Sequence, residues 1–210
     1  MKKNKTLPSK RDLIVIAASK LFLRDGYKAT SIDAIVREAG VSKPTLYSHF
    51  QNKELLFAKI ACGMCNEYCD IHCDPDVDSQ PELDASPEVV LKKVGQIFLN
   101  QMVLQPQGLA MLRMALSESP QFPELGQSLW ETGPNRLKLF LSGYLAEFNR
   151  REILNVPDPN RAALQFIGLA AGPYLLPILL GVQTPPQSED LNQILDQAIA
   201  VFLEGYRRLP

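Results

Sequence analysis

The sequence has few of the residues from which catalytic and metal sites are usually built. Its 210 residues include two histidines and one tryptophan. It contains no G-x-S-x-G motif, no glycine-rich phosphate loop and no paired-histidine metal motif. An enzyme that uses scattered carboxylates is the catalytic alternative that stays open. We therefore expect a binding protein that is not an enzyme and has no cofactor or resident metal.

Long apolar runs are also scarce. One charge-free stretch of seventeen residues covers 166–182, near the lower limit for crossing a bilayer. It contains Pro173 and Pro177 and lacks flanking basic residues. A buried seam between helices fits this stretch better than a membrane span. The basic residues at the start are not followed by the pattern of a secretory signal, so we expect a cytoplasmic protein without a membrane partner.

Charge is unevenly distributed along the chain. The total is −1, but residues 1–53 carry eleven Lys and Arg against four Asp and Glu, a net charge of +7. Residues 54–210 consequently carry a net charge of −8. A basic end on an acidic remainder is typical of a nucleic-acid-binding protein that uses one end for binding. The hydrophobic fraction of 46% provides enough material for a globular core.

Two short helices are predicted in tandem within the basic segment. Apolar residues recur at helical spacing at Ile32, Ile35, Val36 and Ala39. Ser31 can cap this helix and Gly40 can end it. The turn 40–42 leads into a second helix over residues 43–50, which carries a proline in its first turn. Two helices joined by a short turn with glycine predict a helix-turn-helix.

The second helix has the composition of a recognition helix. Leu46 and Phe50 are four residues apart and are expected to face the core. The other side then holds residues that can all donate hydrogen bonds: Lys43, Thr45, Tyr47, Ser48 and His49. Such side chains suit phosphate oxygens and base edges of the major groove.

Many residues between Ala17 and Leu56 form one dense pattern. They are Ala18, Phe22, Gly26, Tyr27, Thr30, Ser31, Ile32, Ile35, Ala39, Gly40, Val41, Ser42, Thr45, Leu46, Tyr47, Phe50, Lys53 and Leu55. With its GVS-x-x-x-LY-x-x-F-x-x-K core, this segment closely resembles the amino-terminal domain of the TetR family of transcriptional repressors. The resemblance implies a homodimeric repressor whose recognition helices enter successive major grooves of a palindromic operator in double-stranded DNA. It implies DNA contacts from Lys43, Pro44, Thr45, Tyr47 and His49, and phosphate contacts from Lys53, Thr30 and Ser31.

Helical patterning continues through the rest of the chain. A helix from Ser9 or Lys10 to Asp25 precedes the pair, and Asn52 can cap a helix that starts at Lys53. Further helices are expected over 87–104, 109–118, 124–152 with an interruption at Gly133-Pro134, 161–181 and 189–208. No segment shows the alternation of a strand.

These segments predict an all-α fold in four parts. Residues 1–53 form a three-helix helix-turn-helix DNA-binding domain, and residues 54–73 form a connector helix. Residues 74–86 form a linker that is rich in proline and acidic residues. Residues 87–210 form a larger helical effector-binding and dimerisation domain.

The carboxy-terminal part carries two further phrases, SPQFPELGQSLWETGPNRL and AVFLEGYRR. They resemble the AefR-like carboxy-terminal domains of the same family. That resemblance implies that the last two helices form a four-helix bundle with those of a second subunit. Gly168 and Gly172 would let helix backbones approach closely. Alternatively, these glycines accommodate a bend beside Pro173.

Large apolar and aromatic residues of several helices in the carboxy-terminal part are candidates to line a pocket for a small apolar effector. They are Met102, Met111, Met114, Trp130, Phe140, Tyr144, Phe166 and Tyr174. Each can equally be an ordinary core residue, because any helical domain must fill its interior. An effector bound there would favour a conformation in which the connector helix swings and spoils the spacing of the recognition helices.

All four cysteines lie on the predicted connector, at Cys62, Cys65, Cys69 and Cys73. On a helical wheel they fall beside the apolar face, where free cysteine acts as a small hydrophobe. The alternative is a thiol- or metal-responsive repressor gated by this stripe. A straight helix spreads the four sulfurs over about 16 Å, which argues against one closed tetrahedral metal site.

Overall fold

The computed structural model describes residues 8–61, 85–102 and 106–208. These residues form helices and a single isolated β-bridge between Leu154 and Arg207, which confirms the predicted all-α fold. The predicted connector beyond Ala61 and the linker up to residue 84 lie outside the described residues.

Four helices form the amino-terminal part. They are α1 (Lys10–Asp25), α2 (Ile32–Ala39), α3 (Lys43–His49) and α4 (Lys53–Ala61). Six helices form the body. They are α5 (Pro87–Met102), α6 (Pro106–Glu118), α7 (Pro123–Thr132), α8 (Pro134–Arg150), α9 (Pro159–Leu179) and α10 (Ser188–Gly205).

The caps of the amino-terminal helices agree with the sequence prediction. The Ser31 hydroxyl accepts a hydrogen bond from the Ala34 amide (3.1 Å) at the start of α2. Asn52 Oδ1 accepts one from the Leu55 amide (2.7 Å) at the start of α4. Gly40 ends α2 with φ +65°, the left-handed conformation that glycine adopts without steric cost. The helix-turn-helix is therefore present as predicted, with α3 ending one residue earlier, at His49.

Two hydrophobic clusters hold the helices together. The head core combines residues of α1 to α4 and the loops between them with residues of α6 and α7. Its largest members are Ile14, Phe22, Tyr27, Ile35, Leu46, Phe50, Leu56, Phe57, Ile60, Met111 and Leu125. The body core includes Leu91, Val94, Leu99, Leu141, Leu145, Val156, Phe166, Leu195 and Phe202. Because α6 also places Leu109 and Leu112 in the body core, this helix joins the two clusters.

Several body helices begin earlier than the sequence pattern predicted. Helix α6 starts at Pro106, three residues before the predicted start, and α9 starts at Pro159, two residues before. A proline in the first helical turn loses no hydrogen bond, so a helix can begin at a proline. At α9 the Asp158 side chain also accepts from the Arg161 amide (3.0 Å) and caps the helix.

Helix α9 is, by length and composition alone, the one helix among the described residues that could cross a membrane. Pro173 and Pro177 both lie inside it. In the structure it packs against α8 and α10 and gives Phe166, Ala170 and Ala171 to the body core. This arrangement is that of a packed helix of the body.

Two glycines provide a matched test of backbone conformation. Gly40→Ala should lower the free energy of unfolding by about 1 kcal/mol, because alanine is strained at positive φ. Gly143→Ala should raise it by about 0.5 to 1 kcal/mol, since Gly143 lies inside α8 with open space around an added Cβ. Urea denaturation measures both, and the same sign for the two variants would contradict the assigned turn.

Candidate DNA-binding interface

Helix α3 has a buried side and an exposed side. Leu46 is 0% exposed and Phe50, which follows the helix, is 1% exposed, as predicted. The residues predicted to contact DNA are exposed or half-buried: Lys43, Pro44, Thr45, Tyr47 and His49. Tyr47 remains 49% exposed although its ring is large. The outer surface of α3 is therefore polar and aromatic, and a rigid apolar side supports it.

Hydroxyl groups fix the first turn of α3. Ser42 Oγ accepts from the Thr45 amide (3.2 Å) and lies 2.8 Å from Thr45 Oγ1. The Ser48 hydroxyl donates to the Thr45 carbonyl (2.8 Å). Each hydroxyl has two lone pairs, so these bonds restrict the rotamers without using all the hydrogen-bonding capacity. Thr45 can therefore contact a base edge from a defined position.

Lys43 forms an ion pair that the sequence analysis did not identify. Its Nζ lies 2.7 Å from Oδ1 of Asp33, in the first turn of α2. The hydrogen bond and the charge of Asp33 raise the pKa of the Lys43 ammonium. Both side chains are largely exposed. A DNA phosphate or base that binds Lys43 must therefore share it with Asp33 or displace Asp33.

Thr30 and Ser31, both predicted to contact phosphate, have different surroundings. Thr30 is 2% exposed, and its hydroxyl donates to the Gly26 carbonyl (2.8 Å). This placement corrects the prediction for Thr30, whose side chain closes the loop between α1 and α2 instead of facing solvent. Ser31 is exposed at the start of α2. A hydroxyl that accepts from a helix amide can still donate to a phosphate, so Ser31 keeps its predicted role.

Substitution at these two positions should separate stability from DNA binding. Thr30→Val should lower the free energy of unfolding by about 1 kcal/mol, because the Gly26 carbonyl loses a buried donor. The folded variant should bind DNA as the wild type does. Ser31→Ala should lose a similar stability through the missing cap, and should also weaken binding to every duplex. Urea denaturation and fluorescence anisotropy measure the two effects, and weaker DNA binding by folded Thr30→Val would contradict the assignment.

Lys53 is half-buried at the start of α4. Its Nζ lies 4.1 Å from the centroid of the Tyr27 ring. Burial lowers the pKa of the Lys53 ammonium, while the nearby carboxylates of Glu54 and Glu118 oppose that shift. The ammonium group that is predicted to contact phosphate is therefore already in contact with the Tyr27 ring.

The predicted effector-contact residues are divided between the two cores. Met111 is fully buried in the head core, and Met114 packs against the same cluster. Trp130 is 46% exposed on α7. The other four with described side chains belong to the body core or pack against it: Phe140, Tyr144, Phe166 and Tyr174. Helix α6 thus faces the head on the side that carries Met111 and Met114.

Grooves open on the described part of the body. One of about 730 Å³ lies between the start of α5 and the end of α10, and none of the predicted effector residues lines it. Another, of about 530 Å³, is formed by the loop before α10 and includes Tyr174. The effector site and its eight candidate residues thus stay a prediction from the sequence.

Several predicted residues cannot be placed in the fold. Cys62, Cys65, Cys69 and Cys73 lie outside the described residues, and the side chain of Met102 does so as well. A redox- or metal-gated cysteine stripe therefore stays a prediction from the sequence.

Two family models match the chain in the order that the fold suggests. Residues 14–60 match the model for bacterial regulatory proteins of the tetR family. Residues 89–208 match the model described as AefR-like transcriptional repressor, C-terminal domain. The chain belongs to the TetR family. Members of this family are DNA-binding transcriptional regulators and are not enzymes.

Individual relatives agree with this assignment. A solved structure of the flavonoid-responsive regulator FrrA is 32% identical, covers 96% of this chain and 98% of its own, and has a TM-score of 0.72. The transcriptional activator FasR of Mycolicibacterium smegmatis is 33% identical over 50% of this chain and 53% of its own length. YhgD of Bacillus subtilis, an uncharacterised regulator, is 43% identical over 28% of this chain and 30% of its own length. The chain thus spans about half of the length of FasR and less than a third of the length of YhgD.

Proposed function

We infer that this protein is a homodimeric repressor that binds a palindromic operator and leaves it when a small apolar, aromatic effector binds the body. The observation that carries the DNA-binding part is the exposed polar surface of α3 above the buried Leu46 and Phe50. The net charge of +7 on residues 1–53 supplies the attraction for phosphates. The protein would act in the cytoplasm.

The dimer is supported by an exposed apolar face on α9. Leu164 and Leu176 of α9 are 43% and 62% exposed, and Leu180, which directly follows the helix, is 68% exposed. Gly168 and Gly172 lie on the same face, with open space around an added Cβ. Large apolar side chains around small residues suit close helix packing against a second copy of the same face. A two-fold dimer of this kind matches the symmetry of a palindromic operator.

The effector class is suggested by a relative. FrrA is named flavonoid-responsive, and its likeness covers nearly all of both chains. An edge-to-face pair of Phe140 and Tyr144, with ring centroids 5.1 Å apart, packs against the body core. Phe166 belongs to that core, and Tyr174 also packs against it. Planar aromatic ligands pack well against such rings. A flavonoid is therefore the first effector to test.

Release requires a path from the body to the head. Helix α6 provides one, because it places Met111 in the head core and Leu112 in the body core. Arg113 of the same helix donates to the carbonyls of Ile178 (2.6 Å) and Leu179 (2.8 Å) at the end of α9. An effector that binds better when α6 is shifted would favour a changed separation of the two heads.

The experiment is an anisotropy titration of the full chain on its highest-affinity duplex, selected from a random pool, with and without the flavonoid naringenin. A long-chain fatty acid serves as an apolar comparator without rings. We expect naringenin to weaken operator binding at least tenfold, as a typical coupling energy allows. Equal operator affinity with and without naringenin would contradict the aromatic effector. A promoter–reporter assay that shows higher transcription with the protein than without it would contradict repression.

A further inference from the structure

The contact between head and body is built around Tyr27, near the start of the loop that follows α1. The residue is 1% exposed. Its ring packs edge-on against Phe57 of α4 (5.3 Å between centroids) and against Phe122 (5.5 Å), which immediately precedes α7 of the body. Its hydroxyl donates to Glu54 Oε1 (2.6 Å). Tyr27 therefore touches both parts of the protein with one ring.

Lys53 lies on the same ring. Its ammonium is 4.1 Å from the Tyr27 centroid, a distance at which a cation is attracted to the ring face. The charges of Glu54, the next residue of α4, and of Glu118, which ends α6 in the body, both favour the charged form of this ammonium. The Glu118 carbonyl accepts from the Phe122 amide (2.9 Å), so the carboxylate-bearing residue and the ring that contacts Tyr27 belong to the same turn. Lys53 of the head and Glu118 of the body thus lie on the two sides of the contact between Tyr27 and Phe122.

Lys53 also occupies the position from which the family resemblance implies a phosphate contact. An ammonium group held over a ring and near a carboxylate loses part of that stabilisation when it turns towards DNA. We propose that Lys53 is shared between DNA phosphate and the head–body joint, and that Glu118 of the body lowers DNA affinity by attracting this ammonium. This inference rests on the proposed DNA-binding function and adds a residue of the body that regulates it.

The sharing has a direction that can be tested. A movement of the turn between α6 and α7 towards Lys53 would withdraw the ammonium from DNA. A movement away would release the ammonium to a phosphate. Glu118 ends α6 and directly precedes the turn that carries Phe122. An effector-driven shift of α6 would therefore change the distance between the Glu118 carboxylate and the Lys53 ammonium.

The test is a double-mutant cycle on DNA affinity, using the full chain, the duplex selected by the wild type and a random-sequence duplex. Glu118→Gln keeps the shape of the side chain and removes its charge. It should raise affinity for both duplexes by roughly threefold to tenfold. In a Lys53→Gln background the same change should have no effect, because the shared cation is gone. Lys53→Gln alone should also reduce the slope of log affinity against log salt by about one per protomer.

Glu131→Gln is the matched control, because it removes the same charge from the far end of α7. It should leave DNA affinity unchanged. An equal gain from Glu118→Gln in both backgrounds would overturn the sharing and indicate a general field of the acidic body. No gain in the wild-type background would overturn it as well, while selective DNA binding by the wild type would leave the proposed function standing. Absence of DNA binding by the wild type would overturn both.

Discussion

Leu176→Glu is expected to split the dimer and to lower operator affinity more than about a hundredfold, because two linked heads bind far more tightly than one. Leu176 is 62% exposed on the apolar face of α9, so the single chain should fold with either residue. In the proposed dimer the carboxylate would be buried against an apolar surface without a partner. Sedimentation equilibrium measures the dimer, and anisotropy measures operator binding.

Leu139→Glu is the matched control for this prediction. Leu139 is a 46% exposed leucine on α8, outside the face of α9. The substitution adds the same charge to the body and should leave both the dimer and operator binding intact. A folded Leu176→Glu protein that stays dimeric would contradict the proposed interface. Loss of the dimer in both variants would indicate that the added negative charge on the body, and not its position on α9, disrupts the dimer.

Lys43→Ala is expected to reduce the ratio of operator affinity to random-duplex affinity by roughly tenfold to a hundredfold in the dimer. Lys43 begins α3, and its ammonium is exposed beside Asp33. A lysine at the start of a recognition helix can reach base edges, so its loss should affect the preferred sequence more than others. Anisotropy titrations on both duplexes at one salt concentration measure the ratio.

Two further variants serve as controls for the Lys43→Ala result. Lys20→Ala removes the same charge from α1, where Lys20 pairs with Glu38 (2.5 Å), and should not change the ratio. Asp33→Asn frees Lys43 from its ion pair and should act in the opposite direction, raising affinity for both duplexes. If Lys43→Ala weakens both duplexes equally, Lys43 contacts only phosphate and its predicted role in discrimination is wrong.

The sequence predicts the helix-turn-helix well because the information there is local. Ser31, Gly40 and Asn52 act within one turn of their own position, and the apolar period of α2 fixes which side is buried. The polar face of α3 follows directly once Leu46 and Phe50 face inward. The helix starts at Pro106 and Pro159 lie three and two residues before the predicted ones, because a proline can occupy the first turn of a helix without losing a hydrogen bond.

The remaining features depend on how helices cross, which local pattern does not encode. Thr30 and Ser31 are adjacent hydroxyl residues, yet one is buried by the loop after α1 and the other caps α2. The pairing of Lys43 with Asp33 requires the angle between α2 and α3. The placement of Met111 in the head core requires the way in which α6 crosses the head helices. In each case the residue type could be interpreted from the sequence, but the residue that it contacts could not be predicted.

The most direct test of a sequence-specific dimeric regulator is a titration of the full chain on DNA from just upstream of its own gene, beside a shuffled duplex of equal composition. Two protomers per duplex, and affinity at least about a thousandfold higher than for the shuffled duplex at physiological salt, are the predicted results. Equal affinity for the two duplexes, or one protomer per duplex at saturation, would contradict the account.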